Sequence, residues 1–122
     1  MRALIVDDSR FVRSYLRGLL EEKDIACEEA ADGRAGLEIL ATAGPFDLVL
    51  VDWNMPVMGG LEMLRQLRAG DNGDPKVLMV TTEAENEFIV RALEAGADEY
   101  LMKPFDDEAL NQKLALLGLV EA

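Results

Sequence analysis

A chain of 122 residues that sets 24 Asp and Glu against 12 Lys and Arg carries a formal net charge of −12, and it contains no histidine. Its length suits one compact domain over residues 1–122, large enough to build a core without disulfides or a structural metal, and a hydrophobic content of 50% separates it from disordered acidic tails. The missing histidine removes Ser/His/Asp and Cys/His catalysis, most catalytic zinc sites and a phosphohistidine on this chain, while the acidity argues against nucleic acid or an anionic membrane surface as a partner.

Short β-branched runs alternate with amphipathic stretches from end to end, with no internal repeat, low-complexity tract or linker. The first strand is predicted over Ala3 to Val6, followed by a helix that starts near Ser9 and carries Val12, Leu16, Leu19 and Leu20 at helical spacing. The second strand, Ile25 to Ala30, includes Glu28 and Glu29 and is expected at a sheet edge. Its helix follows Asp32-Gly33 and ends near Ala43-Gly44-Pro45. Leu48 to Val51 forms the third strand, and the third helix follows Gly59-Gly60 through Leu61, Leu64 and Leu67 to the turn-forming stretch Gly70 to Pro75. Val77 to Val80 is the fourth strand, with a helix from Ala84 to Glu94 closed by Gly96. A fifth strand over Glu99 to Met102 and a helix from Asp107 toward Gly118 complete the order. Strands one, three and four are continuously apolar, as in a parallel sheet covered on both faces. Five strand-helix units with right-handed crossovers predict a doubly wound (βα)5 fold of the α/β class, a three-layer sandwich around a five-stranded parallel sheet.

Cys27 stands alone, so no internal disulfide forms. With no apolar run of about 18 residues and no signal-type N-terminus, the cytoplasm is the expected compartment.

Sites in such sheets lie beyond the carboxyl ends of the strands. There the sequence places Asp7-Asp8, Asp52, Thr81-Thr82 and Lys103-Pro104. Three gathered carboxylates raise one another's pKa unless a cation compensates. Oxygen ligands without His or thiolate select a hard ion, Mg2+ or Mn2+. Capping of the first helix accounts for one of Asp7 and Asp8 at most. Asp52, fixed by the apolar strand before it, is the natural nucleophile, and a carboxylate can carry a phosphoryl group as an acyl phosphate. The metal, the Lys103 ammonium and the Thr81 hydroxyl would then offset charge on the transferring oxygens. Met55, Met58, Met63, Met79 and Met102 read as packing, and Asp71, Asn72 and Asp74 as a solvated turn without the spacing of a calcium loop. The helical register leaves open whether Phe88 packs inward or faces a partner.

Ile5-Val6-Asp7-Asp8-Ser9, Asp52-Trp53-Asn54-Met55-Pro56, Gly59-Gly60, Val80-Thr81 and Lys103-Pro104-Phe105 together resemble the response-regulator receiver family. The stretch Asp52 to Pro56 is similar to that of its stand-alone chemotaxis members. The separations from Asp8 to Asp52 (44), Asp52 to Thr81 (29) and Thr81 to Lys103 (22) are those of the family. The resemblance implies flavodoxin-like strand order 2-1-3-4-5 and Asp52 as phosphoacceptor from a partner histidine kinase or histidine phosphotransfer protein. It implies Mg2+ on Asp8, Asp52 and the Asn54 carbonyl with Asp7 in support, phosphoryl contacts from Thr81 and Lys103, and a cis Lys103-Pro104 bond. A switch through Thr81 and Tyr100 would alter the face made by the fourth helix, fifth strand and fifth helix for a protein target.

Trp53 is expected to report on the site by fluorescence, and Thr82 stands where a β-branched hydroxyl restricts access to it. The fourth helix opens with Glu83-Ala84-Glu85-Asn86-Glu87, which suits its dipole and makes the output face negative. A monomer that dimerises on phosphorylation, with no DNA-binding output and no turnover chemistry, is the expectation. Two readings stand beside it: an aspartate-nucleophile phosphatase of the haloacid dehalogenase type, disfavoured by Asn54 where a second acid is needed, and a phosphorylation-independent binding module. A flavin-binding protein is weaker, because Asp7-Asp8 stands where phosphate would have to bind.

Overall fold

A computed structural model describes residues 1–82 and 86–121. The chain runs β1 (Arg2–Val6), α1 (Arg10–Glu21), β2 (Ala26–Ala30), α2 (Gly33–Ala43), β3 (Leu48–Asp52), α3 (Gly60–Ala69), β4 (Lys76–Thr81), α4 (Asn86–Glu94), β5 (Glu99–Met102) and α5 (Asp107–Leu116). All strand pairs are parallel, and the sheet order is β2-β1-β3-β4-β5, as expected.

The two faces of the sheet follow from alternation along each strand. Leu4, Val6, Val49, Val51, Val77 and Met79 face one core with Leu40 of α2, Met63, Leu64 and Leu67 of α3 and Ala92 of α4. Ala3, Ile5, Leu48, Leu50, Leu78 and Val80 face the other, with Leu16 and Leu20 of α1 and Leu110 and Leu114 of α5. Helices therefore cover both faces in three layers. Each fully buried Leu or Val contributes roughly 1.5–3 kcal/mol, so these strands are anchored far more firmly than the loops that leave them.

Helix starts are fixed by side chains. Ser9, Asp32 and Asp106 accept backbone N–H groups from Val12, Ala35 and Ala109 at 3.3, 2.8 and 2.9 Å, each removing an orphan donor of the first turn. The cap of α1 is thus Ser9, and neither Asp7 nor Asp8 serves there. Helix α3 starts differently: a Cβ on Gly60 would lie 2.2 Å from the Asp52 carbonyl, and the Gly60 N–H donates to the Trp53 carbonyl at 3.0 Å. Only glycine lets α3 approach the end of β3 so closely.

Strand 2 starts at Ala26, one residue later than expected, because the Ile25 N–H is taken by the Leu20 carbonyl at 3.1 Å in the turn closing α1. Strands β3 and β4 extend one residue further, through Asp52 and Thr81, so both site residues are held by the sheet ladder. The expected start of the fourth helix at Ala84, with Glu83 and Glu85, lies outside the described residues. Peptide bonds Gly44–Pro45 and Lys103–Pro104 are cis.

Candidate functional site

The carboxyl ends of β1, β3, β4 and β5 meet at one sheet edge. Asp7 directly follows β1, and its N–H donates to the Ala30 carbonyl at 3.1 Å, continuing the ladder by one rung. The residue is 1% exposed, with its Oδ1 accepting the Ser9 N–H at 2.8 Å and its Oδ2 accepting from Lys103 Nζ at 2.9 Å. Asp8 is exposed. Asp52 ends β3 at 8% exposure, and its Oδ1 accepts from Lys103 Nζ at 3.2 Å. One ammonium therefore bridges two buried carboxylates.

Carboxylate oxygens of Asp7, Asp8 and Asp52 all lie within 4.8 Å of one another. Ligands of a single Mg2+, at about 2.1 Å each, are at most roughly 4.2 Å apart, so small side-chain shifts would let two of these acids hold one ion with the third beside it. The donor chemistry agrees: three hard oxygens carry an excess of negative charge over one lysine. Burial, followed by the Asp7 charge, pushes the Asp52 pKa up to about 6 against the pull of Lys103. For Lys103, burial favours the neutral amine, but the hydrogen bond to Asp7 and the charges of Asp52 and Asp7 outweigh it and raise the pKa above 10.5.

Thr81, 4% exposed, ends β4 beside Asp52's strand, and its carbonyl accepts the Lys103 N–H at 2.8 Å. That bond ties the lysine loop to the threonine strand. Thr82 and Pro104 are exposed at the rim, and Asn54 is exposed two residues beyond Asp52. The expected residues thus converge: three acids, the threonine and the lysine form one cluster with Asn54, Thr82 and Pro104 around it.

Tyr100 lies on β5, half-buried, and packs against the core on the α2, α3 and α4 face of the sheet. Its ring sits 4.3 Å beneath Lys113 Nζ, which also pairs with Glu99 at 3.0 Å. Trp53 and Phe88 answer the question the register left open. Their rings meet edge to face at 5.5 Å and 83°, so Phe88 packs against the residue following Asp52.

Several residues escaped sequence reasoning. Arg13 donates to the Asp7 carbonyl at 2.7 Å and pairs with Glu29 at 3.0 Å, holding the β1 end from α1. Phe11 and Tyr15 stack on α1, and Tyr15 meets Phe105. The i,i+4 spacing of Phe11 and Tyr15 was a visible signal for the first pair.

Residues 3–115 match the family model of the response regulator receiver domain. Over 116 residues the chain is 40% identical to chemotaxis protein CheY-3 of Vibrio cholerae, covering 93% of this chain and 88% of that one. It is also 40% identical to chemotaxis protein CheY of Pseudomonas aeruginosa, covering 93% of each. Among solved structures, the Vibrio cholerae chemotaxis protein CheY4 superposes with a TM-score of 0.87 at 34% identity, covering 98% of both chains. Fold, sheet-edge geometry and relatives agree, and the chain belongs to the response-regulator receiver family as a CheY-like module of two-component signalling.

Proposed function

We propose that this chain is a phosphorylation-dependent switch in which Asp52 accepts a phosphoryl group from the phosphohistidine of a histidine kinase or histidine phosphotransfer protein. The observation that carries the reading is the placement of Asp52: a buried carboxylate 3.2 Å from an ammonium and within 4.8 Å of two further acids. In the transfer an Asp52 oxygen attacks phosphorus, the P–N bond to the donor imidazole breaks, and its electron pair stays on that nitrogen. Lys103 is positioned to leave Asp52 for the phosphoryl oxygens, and Thr81, ending the neighbouring strand, to donate its hydroxyl to another.

Asp8, Asp52 and the Asn54 carbonyl would hold a Mg2+ ion, whose charge would compensate the carboxylates gathered there. Both oxygens of Asp7 are already engaged, by Ser9 and Lys103, which suits it to a supporting place outside direct ligation. The modified Asp52 then shifts a two-state equilibrium through Thr81 and Tyr100. Its readout is the face formed by α4, β5 and α5, where Val90 and Leu93 are 48% and 46% exposed. A protein target, or a second phosphorylated copy, binds there, and the chain acts as a signalling module without turnover.

The test is intact-mass spectrometry after incubation with Mg2+ and acetyl phosphate, with Trp53 fluorescence during titration with beryllofluoride. One phosphoryl adduct and a fluorescence change are expected, and both vanish in Asp52→Asn. An adduct that persists in that variant overturns the assignment.

A further inference from the structure

We infer that the groove between α1 and the loop after β5 receives the apolar part of a small phosphodonor, so that the chain prefers aryl acyl phosphates over compact ones. The inference rests on Asp52 being the phosphoacceptor. The groove encloses about 360 Å³ between Phe11, Tyr15, Pro104 and Phe105 and ends at Thr82 and Lys103. Phe11 and Tyr15, one turn apart, stack with centroids 6.5 Å and planes 7° apart; Tyr15 meets Phe105 at 5.7 Å and donates its hydroxyl to the Phe105 carbonyl at 3.4 Å. This bond and the ring contacts fasten α1 to the loop. Phe11 remains 78% exposed, so neither core accounts for it.

The end of the groove points to its occupant. Lys103 Nζ is the cation that touches Asp7 and Asp52, so an anion held by this lysine lies at the phosphoacceptor. Asp52 and Thr81 are buried, and Thr82 and Pro104 at the rim are exposed, so a donor reaches Asp52 from the rim side. In-line displacement sets the leaving oxygen on the far side of phosphorus from Asp52. A ring carried by that leaving group therefore meets the aromatic wall just outside the rim. Lys103, together with the cation the acids would hold, receives the phosphoryl end, and the aromatic length receives the ring, of an amphipathic anion such as benzoyl phosphate. In the reaction an ionised Asp52 oxygen attacks phosphorus, the acyl O–P bond breaks, and its electron pair departs with benzoate; no proton is transferred.

Three donors test this on the full chain with Mg2+: phosphoramidate, which has no carbon, acetyl phosphate and benzoyl phosphate, each rate being divided by the donor's rate of phosphoryl transfer to pyridine, which attacks phosphorus. Intact-mass spectrometry should show benzoyl phosphate faster than acetyl phosphate by up to about tenfold, the worth of one good aromatic contact. Phe11→Ala should lower the benzoyl-to-phosphoramidate ratio about fivefold, and Phe11→Leu should restore part of it. A readout independent of transfer is the NMR shift of the Phe11 and Tyr15 rings on adding benzoylphosphonate, which cannot transfer its phosphorus. Equal normalised rates with a ratio unmoved by Phe11→Ala overturn the inference while leaving Asp52 as acceptor. A dimer in sedimentation without phosphodonor that Phe11→Ala dissociates also overturns it, because a second copy then fills the groove. If no donor modifies Asp52, the phosphoacceptor reading itself falls.

Discussion

The two edges of the sheet use the same kinds of charged group in different proportions. At the amino edge of β4 and β5, Arg68 donates to the Gly96 and Pro75 carbonyls at 3.0 and 2.9 Å and pairs with Asp98 at 2.9 Å and Asp74 at 3.2 Å. Asp98 in turn accepts the Val77 N–H at 2.8 Å. Gly96, with φ +112°, gives the backbone turn over which the guanidinium lies. Every group there has a fixed partner, and the result is a staple between α3, β4 and the turn before β5. At the carboxyl edge one lysine serves two buried acids, with a third beside them. Because Asp74 is fully solvated, the shielded charges of the amino edge, Arg68 and Asp98, balance one to one and build structure; an uncompensated excess of carboxylate leaves a site with affinity for something cationic.

The largest expected effect comes from removing the single cation of the unbalanced edge. Lys103→Met leaves Asp7 and Asp52 buried without compensation and should cost the metal-free protein about 3–4 kcal/mol at pH 7 in urea unfolding. Millimolar Mg2+ should recover more stability in this variant than in the parent. If Mg2+ stabilises both equally, the acids do not share one ion. Arg68→Ala tests the balanced edge: it strands two carbonyls and Asp98, for an expected cost of about 2–3 kcal/mol. Because Asp74 is fully exposed, its bridge contributes little to that figure. Mg2+ should not rescue this loss, and a Mg2+-dependent rescue would dissolve the distinction between the edges.

Much of this contrast was legible in the sequence on one side and hidden on the other. The apolar runs Leu48 to Val51 and Val77 to Val80 declare buried parallel strands, and the acids, threonine and lysine follow directly on strand ends, so chain position alone gathers them. The family spacing then supplies roles that position cannot. Arg68 gives no such signal, because its partners Asp98 and Gly96 lie about 30 residues away and are brought near only by the β4–β5 pairing. The same holds for Trp53 and Phe88. Residues 83–85 lie outside the described residues, and of the acidic start expected for the fourth helix Glu87 stands in the first turn of α4.

A smaller effect follows from the raised pKa of Asp52. An unfolded carboxylate titrates near 3.8 and folded Asp52 at about 6, so between these values the folded state holds the extra proton. Stability from this group is therefore present below about pH 4 and falls as pH rises to 6, by up to roughly 3 kcal/mol in the metal-free protein. Asp52→Asn removes the ionisation but also a partner of Lys103, leaving an expected gain of about 2 kcal/mol at pH 7.5 in EDTA that shrinks toward pH 4. Protons compete with the cation in the same window, so Mg2+ affinity read from Trp53 fluorescence should weaken below pH 6. A variant no more stable than the parent at pH 7.5 would mean that Lys103 alone balances the edge.

The backbone of the unbalanced edge carries a smaller cost of the same sort. Val57, in the loop leaving β3, has φ +67°, and the Met58 N–H donates to the Pro56 carbonyl at 2.7 Å across it. A β-branched residue in that three-residue turn is strained by about 1–2 kcal/mol, while asparagine tolerates a positive φ. Val57 is 77% exposed, so its side chain gives little in burial to set against the strain. Val57→Asn should therefore stabilise the protein by about 1 kcal/mol, visible as a higher urea midpoint with an unchanged slope. At the amino edge the positive φ values near Arg68 fall on Gly73 and Gly96, and the one before β2 falls on Asp24, an aspartate, which tolerates that region better than valine. If Val57→Asn leaves the midpoint where it was, the loop relaxes at no cost, and the burden of the carboxyl edge is electrostatic alone.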